Sequence, residues 1–338
     1  MDIIATSRPA PPGAGSLVDS AVEIAGRLGL AGRLSARPAS VVDLALATGT
    51  HRPSLHRLLR ALACVRLVDE VEPGVFALAR GGGEGQDASS GPARSAFPMF
   101  GPDSLLYSVR TGQPAVRQLT VGPVFDFIAS DPAASAMLAA FTSAATERVA
   151  PALVASAGLA RFGTVIDVGG GAGTLIKHIL RASPATTRGV VFDTAGSAPA
   201  AVAELSQDPG LAGRWEVRAG DFFDSVPPGG DAYLLKSVLH DWDDDTAARI
   251  LRNCRSAMAT GSRLIIFEPV LPLIAAWSPD HLPAVLSDLI CLVMTDGGRE
   301  RTETGFRDLL AAAGFGTVTV SAVPGSSHFH RVEAVPVR

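Results

Sequence analysis

Cysteine is scarce in this chain of 338 residues. Only Cys64, Cys254 and Cys291 occur, far apart and with no C-x-x-C pair. That argues against a disulfide framework or a thiolate zinc site and points to a reducing compartment. Lysine is scarcer still, found at Lys177 and Lys236 alone, although arginine is abundant. Neither charge sign dominates: the net charge of -4 makes no electrostatic case for a nucleic-acid or membrane partner. No uncharged apolar run is long enough to span a bilayer. The start, MDIIATSRPAPPGAG, lacks the basic and apolar regions of a secretion signal. These absences lead to the expectation of a soluble, cytoplasmic protein. With 47% hydrophobic residues the chain can build a substantial core, and its length favours two domains over one.

The most informative segment that is present reads TVIDVGGGAG, from Thr164 to Gly173. A short apolar run with an acid at Asp167 breaks into glycines at 169, 170, 171 and 173, as a buried strand does when it ends in a turn open to a ligand. Thr174 to Arg181 then reads as a helix with Leu175, Ile176, Ile179 and Leu180 on its apolar face. Strand, glycine turn and helix open a nucleotide-binding α/β fold. The dinucleotide fingerprint G-x-G-x-x-G fits poorly, because Thr174 stands where its third glycine belongs. The spacing through Gly169, Gly171 and Gly173 suits S-adenosylmethionine, which has no pyrophosphate to seat on a helix N-terminus.

Three further strands end in polar groups. Gly189 to Asp193 ends in an acid placed to accept ribose hydroxyls. Trp215 to Ala219 runs into Asp221 and Phe222, an acceptor for the adenine amino group and a cover for the ring. Ala232 to Leu235 leads to Lys236 and then His240, Asp241 and Trp242. Open α/β sheets bind ligands at this carboxyl edge. A helix N-cap or turn role is the bland alternative for each acid taken singly.

Residues 15–96 read as a winged-helix-like domain. Val42, Leu44 and Ala45 mark one helix, Gly49 and Pro53 a turn, and Leu55, Leu58, Leu59 and Leu62 a second helix; Val68 to Ala77 reads as a hairpin wing. Arg52, Arg57, Arg60 and Arg66 raise a rival function, a DNA-binding regulator with a ligand-sensing α/β part. Asp43, Asp69, Glu70 and Glu72 lie close by and weaken it. The residues before Gly15 read as disordered, and Gly81 to Ala96 as a flexible linker. Residues 97–159 read as a helical connector whose apolar faces, Phe141 among them, roof a pocket. Residues 160–338 read as the α/β domain. Its fifth strand, Arg263 to Phe267, ends at Glu268, a late helix spans Thr304 to Ala313, and a closing β-hairpin departs from the all-parallel dinucleotide fold.

Taken in order, DVGGGAG at Asp167–Gly173, GDFF at Gly220–Phe223, LLKSVLHDWDD at Leu234–Asp244, FEPVLP at Phe267–Pro272 and GGRERT at Gly297–Thr302 resemble the S-adenosylmethionine-dependent O-methyltransferases of plant caffeic-acid and flavonoid metabolism and of bacterial antibiotic tailoring. The resemblance implies a Rossmann-like sheet ending in a hairpin behind a winged-helix dimerisation domain. It implies His240 as general base, bracketed by Glu268 and Glu300. It carries cofactor contacts to Asp167, Gly169, Gly171, Asp193, Asp221, Phe222 and Lys236. The helix Leu286 to Met294, which helps line the family's acceptor pocket, holds Cys291 and Met294; these join Phe141 and Asp241 as substrate-contact candidates. The implied cofactor is S-adenosylmethionine, leaving as S-adenosylhomocysteine, held without a metal. The implied partners are a small aromatic substrate and a second copy of the chain. One departure is that Thr194 and Ala195 follow Asp193 where the family has Leu-Pro.

The expected reaction is methyl transfer to a phenolic hydroxyl. A phenol titrates near ~10, so a base must remove its proton at neutral pH. Imidazole, near ~6.5, is suited to that task. A carboxylate beside the ring fixes its tautomer. Asp243, Asp244 and Asp245 read as the acidic first turn of the following helix rather than as metal ligands. A related protein that binds the cofactor and catalyses another reaction, such as hydroxylation, is the further alternative.

Overall fold

The structure is a computed structural model that describes residues 14–79, 100–120, 122–278, 280–326 and 328–337. The expected linker at 81–96 and the expected disorder before residue 15 fall almost wholly outside these residues. The chain divides into two compact units, Met1–Leu119 with Pro272–Met294, and Thr120–Leu271 with Thr295–Arg338.

The first unit holds α1 (Ala14–Arg27), α2 (Leu30–Leu34), β1 (Ala39–Ser40), α3 (Val41–Thr48), α4 (Arg52–Cys64), β2 (Val68–Glu72), β3 (Val75–Leu78), α5 (Pro102–Thr111) and α11 (Leu282–Met294). Ser40 caps α3 by accepting the Asp43 N–H, and Gly49 ends it in the left-handed conformation (φ 61°). Leu55, Leu58, Leu59 and Leu62 of α4 are fully buried, as their helical spacing required. The wing is real, and β1 widens it to three strands in the order β1-β3-β2.

The second unit is built on a sheet of β4 (Thr164–Val168), β5 (Arg188–Asp193), β6 (Trp215–Ala219), β7 (Ala232–Lys236), β8 (Arg263–Leu271), β9 (Arg301–Thr302), β10 (Phe315–Ala322) and β11 (Phe329–Pro336). The order is β10-β11-β8-β7-β4-β5-β6, with β9 alongside the end of β8. Strands β4 to β8 are parallel, and β11 runs antiparallel to both β8 and β10. Both faces are covered. Ile166, Val190, Tyr233 and Ile266 meet α10 (Asp244–Ala257) and α12 (Glu303–Ala312). Val165, Val191, Leu234 and Ile265 meet α7 (Pro132–Ala157), α8 (Thr174–Ala182) and α9 (Ala198–Ser206). Double coverage is why these strands read as apolar runs. A short α6 (Val124–Ser130) meets α7 at a bend of 112°. No single helix among the described residues is long and apolar enough to cross a membrane.

One expectation needs correction. The fifth strand does not stop before Glu268 but continues to Leu271. Pro269 still pairs with Phe329, and Val270 with Arg301, so both neighbours carry the ladder past the acid. Glu268 is therefore a fully buried residue inside a strand rather than a strand-end acid.

The chain steps outward from β4 to β5 and β6, then returns to place β7 on the other side of β4. This reversal is where an open sheet leaves a crevice. It also lays the turn after β4 beside the turn after β7. A Cβ on Gly169 would meet Val238 Cγ2 at 2.8 Å.

Candidate active site

The glycine turn is shaped by its neighbours. Gly169, Gly171 and Gly173 all have positive φ, at 74°, 54° and 76°, where a side chain is strained. Gly169 has no room for a side chain, whereas the space around Gly171 is open. The Gly171 N–H donates to Asp193 Oδ2 at 2.8 Å, and the Thr194 N–H donates to Asp193 Oδ1 at 2.7 Å. Asp193 thus staples the loop, and each of its oxygens keeps accepting capacity for a ligand hydroxyl. The turn reading for this acid and the ligand reading are both compatible with the geometry.

Asp167 is buried at the end of β4. Burial pushes its carboxyl up to about 7, with nearby Asp193 adding to the rise and Lys236 opposing it. Asp221 lies exposed after β6, and its Oδ1 accepts the Phe223 N–H at 2.7 Å. Phe222 is half-buried and meets Phe223 edge-on at 4.7 Å. Trp242 packs on Phe223 at 4.8 Å and on Phe125 of α6 at 5.4 Å. Lys236 donates to Thr146 Oγ1 of α7 at 3.1 Å and lies 5.5 Å from the centre of the Phe329 ring. Burial lowers its pKa; Glu268, Asp167 and Asp241 work against that. Thr174 makes a hydroxyl pair with Ser143 of α7 at 2.6 Å. The residue that spoiled the dinucleotide fingerprint thus fastens α8 to α7.

After β7 the backbone enters the left-handed region at Ser237 (φ 54°) and then makes a 3-10 turn, Leu239–Asp241. Glu268 Oε1 accepts both the Val238 and Leu239 N–H groups, at 2.8 and 2.9 Å. Its other oxygen, Oε2, lies 3.3 Å from His240 Nδ1. Glu300 Oε1 lies 2.8 Å from the same nitrogen. Asp241 Oδ1 is 3.8 Å from His240 Nε2. Burial works against a charged ring, but Glu268, Glu300 and Asp241 together hold its pKa well above the usual imidazole value. Burial pushes the Asp241 carboxyl up to about 6. With Nδ1 facing two carboxylates, Nε2 is the nitrogen left to accept a proton.

The acidic run after Trp242 behaves as a cap. Asp243 Oδ1 accepts the Thr246 N–H at 2.8 Å, with Asp244 and Asp245 in the first turn of α10. The fold brings His240, Glu268 and Glu300 together, and likewise Asp167, Gly169, Gly171 and Asp193. Of the substrate candidates, Phe141 is exposed on α7, Asp241 is half-buried, and Cys291 (buried) and Met294 (half-buried) lie on α11 of the first unit. Sequence reasoning missed Thr146, Ser237, Gly298 and Arg301. The last two stood in the quoted GGRERT motif, of which only the glutamate was read.

Three of the four arginines considered for DNA phosphates have partners inside the first unit. Arg57 Nε is 2.9 Å from Asp288 Oδ2, Arg60 Nε is 3.4 Å from Glu70 Oε2, and Arg66 stacks on Trp277 at 4.9 Å.

Residues 104–316 match the model of the O-methyltransferase domain family. The O-demethylpuromycin-O-methyltransferase of Streptomyces alboniger is 36% identical over 96% of this chain and 87% of its own length. The 8-amino-8-demethylriboflavin N,N-dimethyltransferase of Streptomyces davaonensis is 37% identical over 87% of this chain and 85% of its own. Among solved structures, an O-methyltransferase from neocarzinostatin biosynthesis, in complex with S-adenosylmethionine and 2-hydroxy-5-methyl naphthoic acid, aligns with a TM-score of 0.62. It shares 32% identity and covers 98% of this chain and 100% of that one. With a matching family model over most of its length and relatives of this identity over nearly all of it, the chain belongs to the O-methyltransferase family of S-adenosylmethionine-dependent enzymes.

Proposed function

We propose that this enzyme methylates an aromatic hydroxyl of a small specialised metabolite, with His240 Nε2 as the general base. The carrying observation is the approach of His240 Nδ1 to Glu300 Oε1 at 2.8 Å, with Glu268 on the same side. That arrangement fixes one tautomer and leaves Nε2 to take the phenolic proton. Glu268 and Glu300 stabilise the imidazolium that results. S-adenosylmethionine supplies, when bound, a methyl group activated by its sulfonium. Asp193 accepts ribose hydroxyls on its remaining lone pairs, Asp221 and Phe222 address the adenine, and Gly169, Gly171, Asp167 and Lys236 border the methionine end. Within the second unit, Phe141 and Asp241 contact the acceptor. The N-terminal unit pairs two subunits, which light scattering on the purified protein tests.

Support for an aromatic hydroxyl comes from the relative solved with a hydroxynaphthoic acid. A second reading, an aromatic amine as acceptor, is favoured by the relative named as an N,N-dimethyltransferase. Matched phenol and aniline acceptors, assayed with labelled S-adenosylmethionine, separate the two. The base assignment is tested with His240→Ala. The expected result is a loss in kcat on the order of 10²–10⁴-fold with unchanged cofactor affinity. Equal loss of cofactor binding would remove His240 from that role. Because the ring's pKa is raised, its neutral form, the one able to act as base, grows as pH climbs above about 6.5. The rate is expected to rise with pH across neutrality.

A further inference from the structure

The turn that carries His240 is gripped from both sides. Glu268 holds its entrance through the Val238 and Leu239 N–H groups. The opposite side is held by the segment Gly297–Arg301. Gly297 forms an isolated antiparallel bridge with Trp242. Gly298 lies so close that a Cβ there would meet the Thr295 hydroxyl first, then the His240 carbonyl oxygen at 2.6 Å and the Asp241 carbonyl carbon at 2.8 Å. Glu300 faces the ring. Arg301 is 4% exposed, and its guanidinium is fully committed to this turn and its flank. Nη1 donates to Leu239 O at 2.8 Å, Nη2 donates to Trp242 O at 2.8 Å, and Nε donates to Asp244 Oδ1 at 2.9 Å. Leu239 and Trp242 bracket His240 and Asp241. One rigid planar fork therefore fixes the backbone before and after the histidine, a geometry that lysine cannot copy.

We infer that Arg301 is the positioning residue for His240: it holds the 239–242 backbone so that Nδ1 stays on Glu300 and Nε2 points out of the turn. The inference rests on the assignment of His240 as base. Asp244 completes the device. Burial disfavours its charge, but Arg301 and Arg299 outweigh that and hold the carboxyl below its usual range. A charged anchor at the first turn of α10 thus ties Arg301 to a helix whose Leu251 and Cys254 are fully buried. Within the second unit, the groups facing the imidazole are Glu268 from β8, Glu300 from the segment before β9 and Asp241 from its own turn. Lys236 at the end of β7 acts on Glu268 and Asp241. All of them depend on where the turn is held.

The test uses the full-length enzyme with Arg301→Met, Arg301→Lys and Gly298→Ala, and His240→Ala alongside. Melting temperature and S-adenosylmethionine affinity are measured on each. The expected result for Arg301→Lys is a kcat loss of about 10²-fold, the scale of a roughly 1 Å misplacement. The acceptor KM and cofactor affinity should stay within about twofold. The rising limb of the pH–rate profile should also move to lower pH, because a ring drawn away from Glu300 and Glu268 loses what raised its pKa. Gly298→Ala should reproduce the shift, because once the Thr295 hydroxyl has turned away the methyl still presses on the His240 and Asp241 carbonyls. A kcat within about threefold of wild type in Arg301→Lys would overturn the inference. So would a kcat loss with an unmoved pH limb, which marks a merely structural residue. If His240→Ala keeps its activity, the base assignment fails. If His240→Ala is inactive while the Arg301 and Gly298 variants keep both rate and limb, only the positioning role fails.

Discussion

Each unit of this protein contains a buried glutamate facing a histidine, and the two sites use the same parts in opposite ways. In the first unit Glu70 is fully supplied. Its Oε1 accepts the Gly74 N–H at 3.0 Å and lies 3.3 Å from His56 Nε2; its Oε2 accepts the Ala275 N–H at 2.6 Å and faces Arg60. Burial works against the charge, but these partners outweigh it and hold the carboxyl below its usual range. In the second unit Glu268 and Glu300, both with fully buried side chains, face a single imidazole. Both carboxylates converge on that one ring, and its proton is held well above the usual affinity. A carboxylate spread over several donors is a structural staple; two carboxylates converging on one imidazole poise a proton for transfer.

The hardest test of this contrast is Glu70→Ala. It strips two backbone N–H groups and leaves the Arg60 guanidinium, 8% exposed, without its carboxylate. Breaking a buried pair in this way costs about 3–5 kcal/mol, read by urea unfolding. The depressed pKa sets the pH sign: this stabilisation is present above the unfolded value of 4.5 and is lost as pH falls through the folded one. The pH–rate profile of the folded fraction should not move. A shifted limb would break the comparison, since it would make Glu70 part of the proton chemistry.

Asp167 is an intermediate case, buried and raised to about 7. A raised acid gives the opposite sign. Stability is full below the unfolded value near ~3.8 and falls as pH rises through the folded one. Asp167→Asn should therefore flatten the stability curve between about pH 4 and 7 and gain on wild type by a few kcal/mol at the upper end. Chemical denaturation at a series of pH values measures this. Parallel curves for the two proteins would mean that the carboxyl is already ionised in the fold. Glu300→Gln, which removes one of the two carboxylates converging on His240, should lower kcat on the order of 10²-fold and move the rising pH limb downward. Stopped assays across pH 6–9 would detect both effects.

Much of this was legible in the sequence, for a physical reason. Strand β4, the glycine turn and α8 follow from local rules: an apolar run, backbone angles that disfavour a Cβ, and a 3.6-residue stripe. Asp193 was legible as the last residue of β5 and His240 as part of the turn after β7, where the fold exposes its ligand edge. Partner choice across long separations was not legible. Arg57 meets Asp288 231 residues away, and Glu268 lies inside a strand only because β9 and β11 extend the pairing on both sides. Nor does any local pattern say that one arginine of GGRERT would be buried against the turn after β7. Such pairings come from the closed fold and not from periodicity.

The smallest expected effect concerns strain beside the poised pair. The Glu70 staple lies inside β2, paired with Phe76 of β3. The His240 turn, by contrast, begins at Ser237, a non-glycine residue with φ 54° whose N–H donates to Phe267 O at 3.1 Å. Left-handed backbone costs an L-residue about 1–2 kcal/mol, and such strain gathers at functional sites where the surroundings impose it. Here they do: β8 holds the Ser237 N–H, and one residue later Glu268 takes the Val238 N–H. Ser237→Gly should relieve the strain and raise stability by about 1 kcal/mol, visible as a small rise in melting temperature. Glycine also loosens the hinge of the turn, so kcat should fall a few-fold while stability rises. Opposite signs in the two readings would identify the left-handed residue as part of the catalytic setting, and a parallel rise would assign it to folding alone.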